Sequence, residues 1–322
     1  MTTDQIIYTV FGTLLVLALT FDLGLLSKKN KIITIRQALY QTFFWVSLAL
    51  GFLVFVWIER GQTIALEYLS AYLMEWSLSI DNIFVFVLIF SSFAVKEKYI
   101  PRALLIGILM AILFRVIFIS AGVALVERFH WILYLFGIFL LYTGYKMFTS
   151  TDDEEFDPHE SRIYKVMKRV LPLVPHDGEG RYTLTIDGKR FYTSLFVVII
   201  MLAAIDLVFA LDSIPAVMGI SRDRMVIYTS NIFAVLGLRS LFFLLRGAVS
   251  KFDYLQQGIA IVLVFIGLKM LGEHWIDQWL DKTAQVFFSL VIIAVCIMGS
   301  IIYSIFIPKK GEPADIKDES VQ

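Results

Sequence analysis

Four carboxylates stand inside runs of apolar residues, Glu75 and Asp81 in one stretch and Asp206 and Asp212 in another. Two arginines, Arg115 and Arg239, sit in apolar runs of their own. A charge at the centre of a bilayer costs about 2.5–3.5 kcal/mol even on the mildest scales, so such groups must neutralise one another, bind cations or carry protons. Asn82 and Ser213 follow the two aspartates directly and add further oxygens. Oxygen-only donors suit Mg²⁺, Ca²⁺ or Mn²⁺ and disfavour Cu⁺ or thiolate-bound zinc. The four histidines fall in predicted loops or at the edges of apolar runs, and the lone cysteine, Cys296, excludes disulfides and thiolate clusters. The candidate metal ligands are therefore Glu75, Asp81, Asn82, Asp206, Asp212 and Ser213. Asp22 joins them near the inner end of the first apolar run, where it reads equally well as a boundary residue.

The spacing within each pair constrains the geometry. Six residues along an α-helix give about 9 Å of rise and about 120° of rotation, so two acids on an ideal helix cannot point at one ion. An unwound turn between them would allow it. Pro215 suggests such a helix break, because it removes the hydrogen bond to the Leu211 carbonyl and biases Ile214 away from α geometry. For Arg115 and Arg239 two roles stay open, charge pairing that holds helices together and gating of a path. Lys146 and Lys269 are expected near span ends, where they can snorkel to water. Gly137, Gly144 and Gly267 are expected to let helices approach closely.

The elements that must position these groups are membrane helices. Hydrophobic residues make up 58% of the 322-residue chain and charged ones 17%, against roughly 45–50% and about 25% in soluble domains. The apolar residues come in runs of about 20, the length that crosses the hydrocarbon core as a helix. The pattern predicts an all-α, polytopic membrane protein with nine spans at 6–26, 38–57, 71–94, 103–126, 131–148, 193–219, 227–245, 253–271 and 284–307. The first run lacks a basic leader segment and a small-residue cleavage site, so it reads as a retained helix. Of the 28 Lys and Arg residues, nineteen fall on one side of these spans and five on the other. Positive loops stay cytoplasmic, which predicts a cell-membrane protein with its N-terminus outside and its C-terminus inside. The formal net charge is +0 with no basic face, so nucleic acid is not an expected partner.

The polar segment 149–192 opens on the acidic run 152–155. It continues through a basic amphipathic stretch, Arg162–Val170, and closes on Asp187-Gly188 between alternating residues, a hairpin signal. Residues 308–322 form a polar tail.

The two acid motifs are also related. Glu75-Trp-Ser-Leu-Ser-Ile-Asp81-Asn82-Ile83 resembles Asp206-Leu-Val-Phe-Ala-Leu-Asp212-Ser213-Ile214, with both acids offset by 131 residues. The next span of each set carries an arginine, Arg115 or Arg239, followed three residues on by Phe118 or Phe242. The third ends Gly144-Tyr-Lys146-Met147 or Gly267-Leu-Lys269-Met270. Repeat 1 thus covers about 71–148 and repeat 2 about 193–271, with helices 6–26, 38–57 and 284–307 flanking them. An odd number of helices per repeat inverts the second copy, an arrangement found in secondary transporters.

Ser79-Ile80-Asp81-Asn82-Ile83-Phe84, Phe209-Ala210-Leu211-Asp212-Ser213-Ile214-Pro215-Ala216 and Asn231-Ile-Phe-Ala-Val-Leu-Gly-Leu-Arg239 resemble the TerC family of integral membrane proteins. The resemblance covers roughly residues 6–307. It implies nine spans, export of Mn²⁺, and intramembrane acids at Glu75, Asp81, Asp206 and Asp212. One departure stands out: Ala203 occupies a position where the family commonly has a glutamate, three residues before Asp206, which removes one ligand or proton carrier.

The expected function is a secondary transporter exporting a divalent cation, Mn²⁺ first, in exchange for protons that would compete for the same carboxylates. The metal is cargo, and no cofactor is expected. The alternative is a membrane scaffold or assembly factor linked to tellurium resistance, for which segment 149–192 would matter more than the buried acids. An enzyme is not expected: there is no HExxH or Gly-x-Gly-Asp pattern and no Ser/His pair at one membrane depth.

Overall fold

The computed structural model describes residues 3–26, 33–149, 157–176, 178–246 and 254–306. Asp22 and Asp81 lie on helices, but their side chains fall outside the described residues, as do the acidic run 152–155 and the polar tail. Ten α-helices follow in order: α1 (Thr3–Leu26), α2 (Ile35–Arg60), α3 (Gln62–Ser92), α4 (Ile100–Arg128), α5 (Ile132–Thr149), the short α6 (Arg162–Val170), α7 (Ser194–Ile220), α8 (Arg224–Leu245), α9 (Leu255–Trp279) and α10 (Lys282–Phe306). All except α1 and α6 are long and apolar enough to cross a membrane, which makes eight candidate spans among the described residues. The described apolar stretch of the first expected span, Gln5–Thr20, is shorter than a span.

Local chemistry sets the helix ends. Thr34 and Gln37 form a reciprocal capping box at α2, and Thr193 and Asp223 cap α7 and α8 through their side chains. Gly61 alone links α2 to α3, with φ 83° and ψ 178°, a region that only glycine occupies without strain. Several helices outrun the expected spans. The third begins at Gln62 rather than 71, and the one expected to stop at 271 continues to Trp279. Apolar length measures the bilayer, whereas helical hydrogen bonding continues as long as polar side chains find partners. Glu67 and Glu273, in these extensions, both find them: Ser221 donates to Glu67 and Arg222 to Glu273.

Helix α5 lies along α9, α3 against α8, α4 against α7, and α3 against α7. Glycines permit the closest of these contacts, as expected. A Cβ on Gly144 would lie 2.8 Å from the Ala260 carbonyl oxygen, and one on Gly267 would lie 2.8 Å from that of Gly137. Helix α8 is the central post, with residues from Met225 to Phe243 buried almost throughout. By contrast α5 and α10 expose Tyr142, Tyr145, Phe287, Val295 and Phe306, the apolar side chains a lipid-facing surface requires. The hairpin expected in the polar segment forms. Thr183–Ile186 (β1) pairs antiparallel with Lys189–Tyr192 (β2), and Asp187 (φ 49°) and Gly188 (φ 75°) make the turn.

Candidate transport site

The buried charges meet where four helices cross. Arg115 of α4 is 1% exposed, as are Glu75 of α3, Asp206 of α7 and Asn231 of α8. The guanidinium forks onto Asp206, Nε donating to Oδ2 at 2.7 Å and Nη2 to Oδ1 at 3.1 Å. Its Nη1 donates to Glu75 Oε2 at 2.8 Å and to Asn231 Oδ1 at 3.2 Å. Asn231 completes the ring by donating from Nδ2 to Glu75 Oε1 at 2.6 Å. Burying each ion costs several kcal/mol, and only charge-assisted hydrogen bonds of good geometry offset that cost. One cation against two carboxylates leaves the cluster with a formal charge of −1.

The second aspartate of the α7 motif stands apart from this ring. Asp212 is half-buried and accepts a long hydrogen bond, 3.4 Å, from Thr143 Oγ1 of α5. The helix expected to break at Pro215 does not: α7 is helical from Ser194 to Ile220, with the proline inside it. Membrane helices tolerate proline when neighbours satisfy the freed backbone, and α7 is packed against α3, α4, α5 and α9. Nor is there an unwound turn between Asp206 and Asp212, or between Glu75 and Asp81, in the continuous helices that carry them. The six-residue spacing therefore keeps its helical consequence, and Asp206 and Asp212 have different partners, Arg115 and Thr143.

Asn82 (3% exposed) and Ser213 (2% exposed) occupy equivalent positions in the two motifs. The amide nitrogen of Asn82 and the hydroxyl of Ser213 find no hydrogen-bond partner among the described residues, and the same holds for the hydroxyls of Ser77 and Ser79. Buried polar atoms without partners are rare in native structures and concentrate at sites with another use. Arg239 is buried on α8 at 4% exposure, and Ala203 is packed one turn before Asp206. Among the described residues no group of three or more His, Cys, Asp or Glu side chains is placed to hold a metal ion. Asp22 and Asp81 lie outside that set.

Sequence reasoning missed one constellation. Ser221, Arg222 and Asp223 join α7 to α8, Arg224 opens α8, and each of the four reaches a different helix. Ser221 bonds Glu67 of α3, Arg222 pairs with Glu273 of α9, Asp223 with Arg60 of α2 at 3.9 Å, and Arg224 with Glu127 of α4. A cavity of ≈ 450 Å³ opens beside it, lined by Glu67, Ser221, Arg222, Lys269, Glu273 and Lys282 among others. Lys269, expected at a span end, lies ten residues before the end of α9 and faces this cavity. Charged residues at both ends of a short loop were the available signal, but partners on four distant segments are invisible in one dimension.

The fold and this buried, ion-paired site define a multi-pass membrane protein with a charged centre between its helices. The chain belongs to the integral membrane protein TerC family, whose model matches residues 60–312. It is 40% identical over 306 residues to the uncharacterized membrane protein STKORF319 of Myxococcus xanthus, covering 95% of this chain and 93% of that one. A Rickettsia prowazekii uncharacterized membrane protein, RP786, is 38% identical over 273 residues, covering 84% and 90%. A Salmonella typhi protein provisionally named membrane-bound redox modulator Alx is 37% identical over 270 residues, covering 81% and 84%. No solved structure matches the chain.

Proposed function

We propose that this protein is a secondary transporter that exports a divalent cation, Mn²⁺ first, from the cytoplasm, and that it is not an enzyme. The observation that carries the reading is the shared guanidinium. Glu75 and Asp206, equivalent positions of the two sequence repeats, converge on Arg115, one cation against two carboxyl groups. A purely structural bridge needs only one carboxylate per arginine. A second carboxylate held beside it, with the hydroxyls of Ser77, Ser79 and Ser213 finding no partner among the described residues, suits a site that exchanges its own cation for one from solution.

In this reading Arg115 pairs with both Glu75 and Asp206 when no metal is bound. Asp81 and Asp212, about one and two-thirds turns further along their helices, supply the charge that admits the ion, with Asn82 and Ser213 beside them. Asp22 is a further oxygen donor near the inner end of the first helix. Protons compete for the same carboxylates and serve as the coupling ion. The helix pairs support an inverted repeat, because a two-fold relation exchanging α3–α4–α5 with α7–α8–α9 turns the α3/α8 contact into α7/α4 and leaves α5/α9 and α3/α7 as self-related pairs. With α1 as a ninth span, the charge bias of the loops puts the N-terminus outside and the C-terminus in the cytoplasm.

A second reading is the membrane scaffold or assembly factor linked to tellurium resistance, beside which the provisional name of the Salmonella relative sets a redox-modulator role. A single cysteine denies this chain an internal dithiol–disulfide couple, so a redox effect would have to act through metal supply or a partner. The deciding experiment is uptake into inverted vesicles across a panel of divalent ions. Mn²⁺ accumulation that requires this protein supports export, and no accumulation of any divalent ion overturns it.

A further inference from the structure

The short helix α6 has two faces that the transport reading does not use. At 100° per residue its apolar side chains occupy one arc, Val166, Val170, Ile163, Met167 and Tyr164, and its basic ones the rest, Lys168, Lys165, Arg169 and Arg162. The apolar arc is itself divided. Met167 is buried, and Ile163 and Tyr164 pack against the bundle. Val166 and Val170, one turn apart and next to Arg162 on the wheel, are 61% and 70% exposed. All four basic side chains are exposed as well.

The anchoring of α6 fixes its level. Ser161 caps it, accepting from the Tyr164 amide at 3.2 Å. The His159 ring nitrogen Nε2 lies 3.1 Å from the Ser92 carbonyl oxygen at the end of α3. The rings of His159, Phe93 and Tyr164 meet tilted or edge-to-face in one cluster, with centroids 4.4, 5.1 and 5.4 Å apart, and α6 packs on α7. Since α3 ends and α7 begins as membrane spans here, α6 lies where hydrocarbon gives way to headgroups. A helix at that level with one bare apolar strip bordered by cations fits one partner, a bilayer surface bearing acidic headgroups.

We infer that α6 is an interfacial anchor that seats Val166 and Val170 at the acyl boundary and sets Arg162, Lys165, Lys168 and Arg169 against anionic phospholipid headgroups. The segment between the two repeats is thereby fastened to the membrane as well as to the bundle. Each basic residue near an acidic bilayer strengthens attraction roughly fivefold.

The test uses full-length protein in nanodiscs of phosphatidylcholine alone or with about 30% phosphatidylglycerol. In a Cys296→Ser background a spin label is placed at Val166→Cys or Val170→Cys, with Asp187→Cys at the exposed hairpin tip as reference. The ratio of oxygen to nickel-chelate collisions at 166 and 170 should exceed that at 187 by about tenfold. It should rise with phosphatidylglycerol content. Replacing Arg162, Lys165, Lys168 and Arg169 by Gln should abolish the dependence on phosphatidylglycerol. Chelate access at 166 and 170 equal to that at 187 in both compositions would overturn the anchor. So would shielding from both reagents, which would mean a protein contact instead.

Discussion

Glu75 and Asp206, 131 residues apart in the chain, are joined through one side chain: Arg115 holds the first at 2.8 Å and the second at 2.7 Å. Because both carboxylates depend on this guanidinium, its loss leaves two like charges buried together.

Replacing Arg115 by Leu should therefore destabilise the protein by about 3–5 kcal/mol, the range for removing one partner of a buried pair. The expected readout is a large fall in thermal stability in detergent. Adding Glu75→Gln and Asp206→Asn should restore much of the stability but not metal export. A single Arg115→Leu protein that melts like the parent would sink the pairing argument.

Neutralising the other acids should separate function from folding. Asp212 is half-buried with only a long hydrogen bond from Thr143, so Asp212→Asn should insert at normal abundance. It should nevertheless abolish Mn²⁺ export, and Asp81→Asn should do the same. The double variant should be no worse than either single one, because either loss already empties the site. Abundant proteins that still lower cytoplasmic Mn²⁺ normally would favour the scaffold reading.

The orientation can be mapped with single cysteines in a Cys296→Ser background. A cysteine at Asp4 should label with an impermeant reagent from outside. One at Asp157 or Glu319 should label only after permeabilisation. Labelling of Asp157 in intact cells would reverse the topology.

The α7–α8 connection offers a mechanical test. Cysteines replacing Glu67 and Ser221, bridged by a bifunctional thiosulfonate reagent, should tie α3 to the end of α7 and stop transport. Reduction should restore it. The Arg224–Glu127 pair is exposed and screened by solvent, so breaking it alone should change stability little.

Glycine substitutions should differ sharply with position. Gly144→Val would drive side-chain atoms into the Ala260 carbonyl and the Val264 side chain, both 2.8 Å from the first added carbon. Overpacking of this kind costs about 1–3 kcal/mol. Gly51→Ala meets nothing within 4 Å and should be neutral or stabilising, since alanine favours helix by about 1 kcal/mol. Equal melting temperatures for the two variants would contradict the close α5–α9 packing.

Much of this was legible in the chain. Bilayer thickness imposes apolar length, so the runs alone marked the helices α2–α5 and α7–α10. Charge in an apolar run is costly enough to be conspicuous, so Glu75, Asp206, Asp212, Arg115 and Arg239 stood out without coordinates. The Asp187-Gly188 turn was readable because two positive φ angles demand those residues. Tertiary structure alone decided the partners. Sequence could not say that Arg115 serves both Glu75 and Asp206, that Asn231 closes the ring, or that four consecutive residues after α7 reach four different helices. Nor could it say that α7 stays helical through Pro215, since that depends on the helices packed against α7. Hydrophobicity and turn chemistry act within a few residues of each position, whereas a buried charge is satisfied by whichever helix the packing brings beside it.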